Sequence, residues 1–370
     1  MSQQNPRRIR ALVVRVIVWA LVVALVWYLV RVLRRVDWSQ VWDALGHLSW
    51  WQVVTLLVLV VVRAALSSAP LAFFVKDLGL PRAIGNDLVG NLAATVTPAP
   101  ADIVARAALF RSWGVDVGQG MAGLVLNSIL YYVVRLAAPV AGALLMLWTV
   151  GDEGAVGWAA VISGLVSAAI VTVLVIGSRS SASAGAVGRF LGRCAIKIRR
   201  SLPGPDRMEK LVVDFHARIA GRWLRFWPHS LIALVAMVLV ESGILVLAIR
   251  FVGVPPSQAP LLVIVASFLS VYLLMATPFL GLGVLDAAVV ALIADRAGAT
   301  ASELVAGVII WRVCVQLVPL LAGIAPLLTA RASGLVDGGA SDSGALDGGT
   351  LDGGTAAGAE NSQSSEVEPA

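Results

Sequence analysis

The sequence predicts an all-α integral membrane protein, and three observations carry that prediction. Apolar residues make up 59% of the 370-residue chain, charged residues only 14%, and the mean hydropathy is +0.88. A soluble domain cannot enclose that much apolar surface, so lipid must solvate most of it. Six segments are long enough to span a hydrocarbon core of about 30 Å, which takes about 20 residues of helix. A glycine- and proline-punctuated pattern also occurs twice, once in each half of the chain.

In order, the expected spans are 12–33, 51–75, 121–148, 156–177, 229–251 and 303–329. The first resembles a signal peptide only superficially. Its apolar run is too long, and Arg31, Arg34 and Arg35 follow it in place of small residues, which fits a retained anchor. Two further apolar regions, 84–110 and 259–296, are interrupted by Pro98 and Pro100 and by Pro278 with Gly281 and Gly283. A helix broken at membrane depth leaves backbone groups unpaired, which is tolerable only inside protein or beside a water-filled cavity. Each broken region is therefore expected to be a re-entrant helical hairpin, with two ordinary spans apiece (eight or more in total) as the alternative. From about Ser333 the chain is Gly, Ser, Ala and acidic, so 331–370 is expected to be a disordered tail on a membrane domain covering 1–330.

The repeat runs from Leu78-Gly79-Leu80-Pro81 to Thr97-Pro98 in one copy, and from Val252-Gly253-Val254-Pro255 to Thr277-Pro278 in the other. Each is followed by a long apolar segment, containing Ala122-Gly123-Leu124-Val125 or Ala306-Gly307-Val308-Ile309. Repeat one covers about 12–148 and repeat two about 156–329.

Charge gives the orientation. The segment 178–228 holds eleven Arg and Lys residues against Asp206, Glu209 and Asp214, and reads as a cytoplasmic loop. The 149–155 loop carries Asp152 and Glu153 with no base and reads as external, while Arg7, Arg8 and Arg10 put the N-terminus inside. Counting crossings places the C-terminus inside too, in a multi-pass plasma-membrane protein. The two broken regions then open to opposite sides. Inverted repeats with broken helices meeting near the midplane are the architecture of alternating-access carriers.

Ionisable groups at membrane depth are costly and mark either a function or a buried pair. The candidates are Arg63, Arg106, Arg135, Glu241, Asp286 and Arg312, with polar Asn91, Asn127 and Gln316. Arg106 and Asp286 each lie nine residues beyond their Thr of the Thr-Pro pair, Thr97 and Thr277, so they are candidates for a gate pair or for a structural ion pair. Arg312 is an alternative partner for Glu241 or Asp286. The arginines are candidate contacts for an anionic headgroup, because a guanidinium binds phosphate as a fork. Cys194, Cys314 and three histidines form no metal-ligand spacing, so neither a metal nor another cofactor is expected.

Thr277-Pro278-Phe279-Leu280-Gly281-Leu282-Gly283-Val284-Leu285-Asp286-Ala287-Ala288 is similar to the Pro-Gly-Gly-x-Gly-x-x-Glu-Ala stretch of the lysylphosphatidylglycerol synthase transmembrane family, also described as flippase-like. Asp286 stands for the acid, one glycine is missing and one residue is extra. Thr97-Pro98-Ala99-Pro100-Ala101-Asp102-Ile103-Val104-Ala105-Arg106 resembles the family's Pro-x-Arg-x-Gly-Glu-x-x-Arg. Arg106 matches the closing arginine, whereas Pro100 and Asp102 stand near an absent arginine and glycine. The resemblance covers about residues 12–330 and implies movement of lipid between leaflets, without the catalytic part that some members carry.

The leading expectation is a non-enzymatic transporter of an anionic lipid, either a phospholipid or a polyprenyl-phosphate-linked species. Arg63, Arg106, Arg135 and Arg312 would bind the headgroup, and Glu241, Asp286 and Asp102 would couple or gate. The alternatives are an integral-membrane lipid-phosphate transferase and a non-catalytic membrane partner of a glycosyltransferase. The expected partner is a membrane lipid with an anionic headgroup, not a nucleic acid. The sequence leaves homo-oligomerisation open.

Overall fold

The computed structural model describes residues 46, 48–96, 101–150, 156–178, 180–198, 204–276, 283–296, 298–326 and 328. Among them there are helices and no strands. The expected first span at 12–33, the breaking residues Pro98, Pro100, Pro278 and Gly281, and the tail 331–370 lie outside the described residues.

Helix α1, Trp50–Phe74, begins at Ser49, whose amide donates to Gln52 Oε1 at 2.9 Å, one half of a capping box. The chain then turns through Asp77 (φ 61°) and Gly79 (φ 70°). The left-handed conformation suits glycine, which has no Cβ to clash. Helices α2, Leu80–Val96, and α3, Ala101–Ser112, pack against each other as the two arms of the first broken region. Helix α4, Val117–Val150, follows, then α5, Val156–Ser178, and α6, Ser181–Ile198.

The second half opens with α7, Pro205–Phe251, which turns at Gly253 (φ 98°) as α1 does at Gly79. Helix α8, Leu261–Val271, tightens into a 3-10 turn, Tyr272–Ala276, just before Thr277-Pro278. That tightening fits the bias against α-helix in the residue preceding proline. Helix α9, Val284–Arg296, is the second arm of this broken region and packs on α8. Helix α10, Ala301–Arg312, is capped by a Thr300–Glu303 box and continues through a π-helical turn, Val313–Leu317, into α11, Val318–Ala322.

Four described helical stretches have the length and apolarity to cross a membrane: Trp50–Phe74, Val117–Thr149, Arg225–Phe251 and Ala301–Pro326. They correspond to four of the six expected spans. A fifth, α5, carries a shorter apolar stretch, Ala160–Ile176. Large apolar side chains such as Val58, Val61, Leu165, Ile232 and Leu239 face outward, while Arg135, Glu241 and Asn86 are buried. That distribution inverts the pattern of a soluble protein and suits a lipid surround.

The two halves repeat one architecture: a long helix (α1 or α7), a broken pair (α2–α3 or α8–α9), and a second long helix (α4 or α10–α11). Helices α1 and α7 run antiparallel. Trp51 meets Phe251 at one end, with ring centroids 5.5 Å apart, and Arg222 Nε donates to the Phe73 carbonyl at the other, at 3.0 Å. The repeat glycines occupy matching contacts. Gly123 packs on Val75, and Gly307 on Ile249, and Val75 and Ile249 each stand four residues before Gly79 and Gly253.

The halves are also laced together. The last helix of each crosses the first arm of the other's broken pair at a glycine, Gly142 of α4 against the backbone of Leu269 and Ser270, and Gly323 after α11 against the Leu88 carbonyl. The core cluster runs through α1, α4, α7, α8, α9 and α10, with Phe268 edge-on to both Tyr272 (5.2 Å) and Trp311 (5.4 Å).

The basic segment 178–228, expected to connect two spans on the cytoplasmic side, is largely helical: α6 and the first half of α7 occupy most of it. At 47 residues, α7 is about 70 Å long at 1.5 Å per residue, far more than the span Arg225–Phe251 requires. Gly188 and Gly192 bring α6 against the α7 backbone at Glu209 and Pro205, and Arg189 pairs with Glu209. Charge density hid the helical spacing of Met208, Leu211 and Val212 from a reading based on net charge alone.

Candidate functional site

Among the described residues, the ionisable groups singled out in the apolar sequence form three sets. The central one joins the repeats. Arg63, midway along α1, places Nε 3.1 Å from Glu241 Oε2 on α7. The same oxygen accepts from the Tyr272 hydroxyl at 3.1 Å. Glu241 is 0% exposed, and its Oε1 has no hydrogen-bond partner among the described residues. Tyr272 is the first residue of the 3-10 turn.

Arg135 on α4 completes this set. It is 6% exposed, and its guanidinium carbon lies 4.6 Å from the centroid of the Tyr131 ring, 5.8 Å from that of Tyr132 and 6.0 Å from that of Tyr272. Ring faces stabilise a cation, but they do not satisfy its donors, and Arg135 Nε has no acceptor among the described residues. No described carboxylate stands within ion-pair distance of it. Glu241 binds Arg63 instead, so the two unmet groups do not satisfy each other.

The second set lies within repeat one. Arg106 of α3 lies across Gly90 and reaches Asp87 Oδ1 and Asn86 Oδ1 on α2, both at 3.4 Å. Asn86 returns a hydrogen bond to the Arg106 carbonyl at 3.2 Å, and Ser67 of α1 donates to Asp87 Oδ2 at 3.3 Å. The third set lies within repeat two. Arg312 Nε contacts Asp286 Oδ1 at 2.7 Å, Arg312 Nη1 contacts Gln316 Oε1 at 3.4 Å, and the guanidinium stacks 4.8 Å from the Trp311 ring. Asp286 Oδ2 accepts the Gly283 amide at 2.8 Å, where the backbone turns at φ 82°. Gln316 sits in the π-helical turn, a feature common at functional sites.

Arg106 and Asp286, matched by position in the repeat, are thus not partners; each finds its counter-charge inside its own repeat. Of the alternatives for Arg312, Asp286 is the one realised. Asp102 lies in the first turn of α3, favourable to the helix dipole, and joins none of the three sets. Asn91 is exposed and also stands apart. Sequence reasoning missed Asp87, which met the criterion of an ionisable group in an apolar run but lies near its polar start. It also missed Tyr131 and Tyr272, whose roles depend on which ring faces which cation.

The pairing has a measurable consequence. In a double-mutant cycle of thermal stability, Asp286→Leu and Arg312→Met should couple by about 0.5–3 kcal/mol, whereas Arg106→Gln and Asp286→Asn, which share no partner, should add within about 0.5 kcal/mol. Coupling between Arg106 and Asp286 with none between Asp286 and Arg312 would reverse the assignment.

A family model described as the lysylphosphatidylglycerol synthase TM region matches residues 13–323. The chain belongs to this family. No curated protein and no solved structure matches it.

Proposed function

We propose that this membrane domain moves an anionic lipid between leaflets, without covalent chemistry, by rearranging its inverted repeats about the Arg63–Glu241–Tyr272–Arg135 cluster. One observation carries the reading: charged groups that are expensive to bury are concentrated where the two halves meet, and one cation among them lacks an anion among the described residues. A purely structural strut would favour complete pairing. Arg106–Asp87 and Arg312–Asp286, each closed within its own repeat, are the proposed gates on either side of the headgroup.

Reconstitution tests this. Proteoliposomes with fluorescent phosphatidylglycerol should lose inner-leaflet signal to an external quencher faster than protein-free vesicles. Equal rates across a panel of anionic lipids, including polyprenyl phosphates, would remove the transport reading and favour a transferase or a docking subunit.

The proposed orientation puts the basic 178–228 region and both termini in the cytoplasm. In a background lacking Cys194 and Cys314, Asp152→Cys should react with an impermeant thiol reagent in intact cells, and Ser201→Cys should react only after the membrane is opened. Labelling of both from outside would overturn the orientation.

A further inference from the structure

We propose that Arg135 is the seat of a single monoanionic phosphodiester, which restricts the cargo to diester headgroups and excludes phosphate monoesters. The argument is one of charge and unmet bonding. The central set holds two cations, Arg63 and Arg135, and one anion, Glu241, leaving one positive charge in a buried place. Among the described residues, Asp87 and Asp286 are already engaged by Arg106 and Arg312, and no carboxylate stands within ion-pair distance of Arg135. Burying an uncompensated charge costs several kcal/mol, so a site with this charge is completed by a ligand of charge minus one. A dianion would reverse the imbalance instead of removing it.

The geometry suits a phosphodiester. The tyrosine rings hold the guanidinium while Nε remains an unfilled donor, and a guanidinium presents paired N–H groups that match two phosphate oxygens. A phosphodiester carries one charge at neutral pH, whereas a monoester, with a second pKa of about 6, carries nearly two. Arg63 is not equivalent, because its Nε is already committed to Glu241. The source of the ligand, a lipid and not a soluble ester, rests on the proposed lipid-carrier function; the chemistry of the site does not.

The test is titration of the full chain, purified in uncharged detergent at pH 8, with short-chain phosphatidylglycerol, phosphatidate and phosphatidylcholine, and with glycerophosphoglycerol lacking acyl chains. Wild type should bind phosphatidylglycerol at least about tenfold more tightly than phosphatidate, a monoester, and than phosphatidylcholine, a diester whose choline cation cancels the charge of its phosphate, a difference of about 1.4 kcal/mol. Arg135→Gln should lose that preference. Arg135→Lys, which keeps the charge but not the fork, should lose part of it and serves as the test should Arg135→Gln not fold. Equal or tighter binding of phosphatidate, no binding of phosphatidylglycerol, or an unchanged preference in Arg135→Gln or Arg135→Lys would overturn the proposal. If the chain-free diester binds as well as the lipid, the Arg135 site stands and the lipid-carrier function falls. If diester binding is selective but no lipid crosses the bilayer, the failure belongs to the transport reading alone.

Discussion

Glu241→Leu should destabilise the purified protein by about 3–5 kcal/mol, because it leaves the Arg63 guanidinium buried without its anion. It also strands the Tyr272 hydroxyl, which has Glu241 Oε2 as its acceptor. In thermal unfolding the loss should read as a drop of several degrees. Arg63→Met combined with Glu241→Leu should recover most of it, since apolar groups of similar volume commonly replace a buried ion pair at little cost. Adding Tyr272→Phe should recover much of the remainder by removing the unsatisfied hydroxyl, a group worth about 1–3 kcal/mol. A double variant no more stable than Glu241→Leu would mean that Arg63 and Glu241 do not act as a pair.

The second large effect lies at the glycine crossings. Gly142→Val should cost about 1–3 kcal/mol or more, because its Cβ would run into the Ser270 backbone, which has no rotamer to yield. Gly323→Val should behave alike, its Cβ falling 2.6 Å from the Leu88 carbonyl oxygen. Gly243 of α7 is the control. A Cβ there meets nothing within 4 Å, so Gly243→Ala should be neutral or stabilise by up to about 1 kcal/mol through helix propensity. Equal melting shifts for all three would show that helix propensity, and not the lacing of the repeats, sets the response.

Helix identity was legible because lipid imposes a strong rule: an apolar run of sufficient length must satisfy its own backbone, and a helix does so. That is why α1, α4, the second half of α7 and α10–α11 lie where hydropathy puts them. The repeat was legible through Gly79 and Gly253, which are needed for a left-handed turn, and through Gly123 and Gly307, which are needed for close packing. The basic segment was not, because charge reports on the side of the membrane and not on backbone conformation. The residues of the site were mostly visible as rare charges in apolar sequence, but their pairing was not. Arg106 and Asp286 share a repeat position, yet partners are chosen by helix register: Arg106 falls beside Asp87, and Arg312 beside Asp286, at separations that linear spacing does not encode.

The most direct measurement of the central claim compares translocation of fluorescent phosphatidylglycerol in proteoliposomes containing wild type with that in proteoliposomes containing the Arg63→Met/Glu241→Leu variant, both shown to be folded by their melting curves. The cluster at the repeat interface is proposed to serve transport and not only cohesion. Wild type should therefore exceed protein-free vesicles, and the stable double variant should fall at least about tenfold toward that background. A double variant that is folded and translocates as fast as wild type would contradict the claim and leave the buried charges as a strut between two halves.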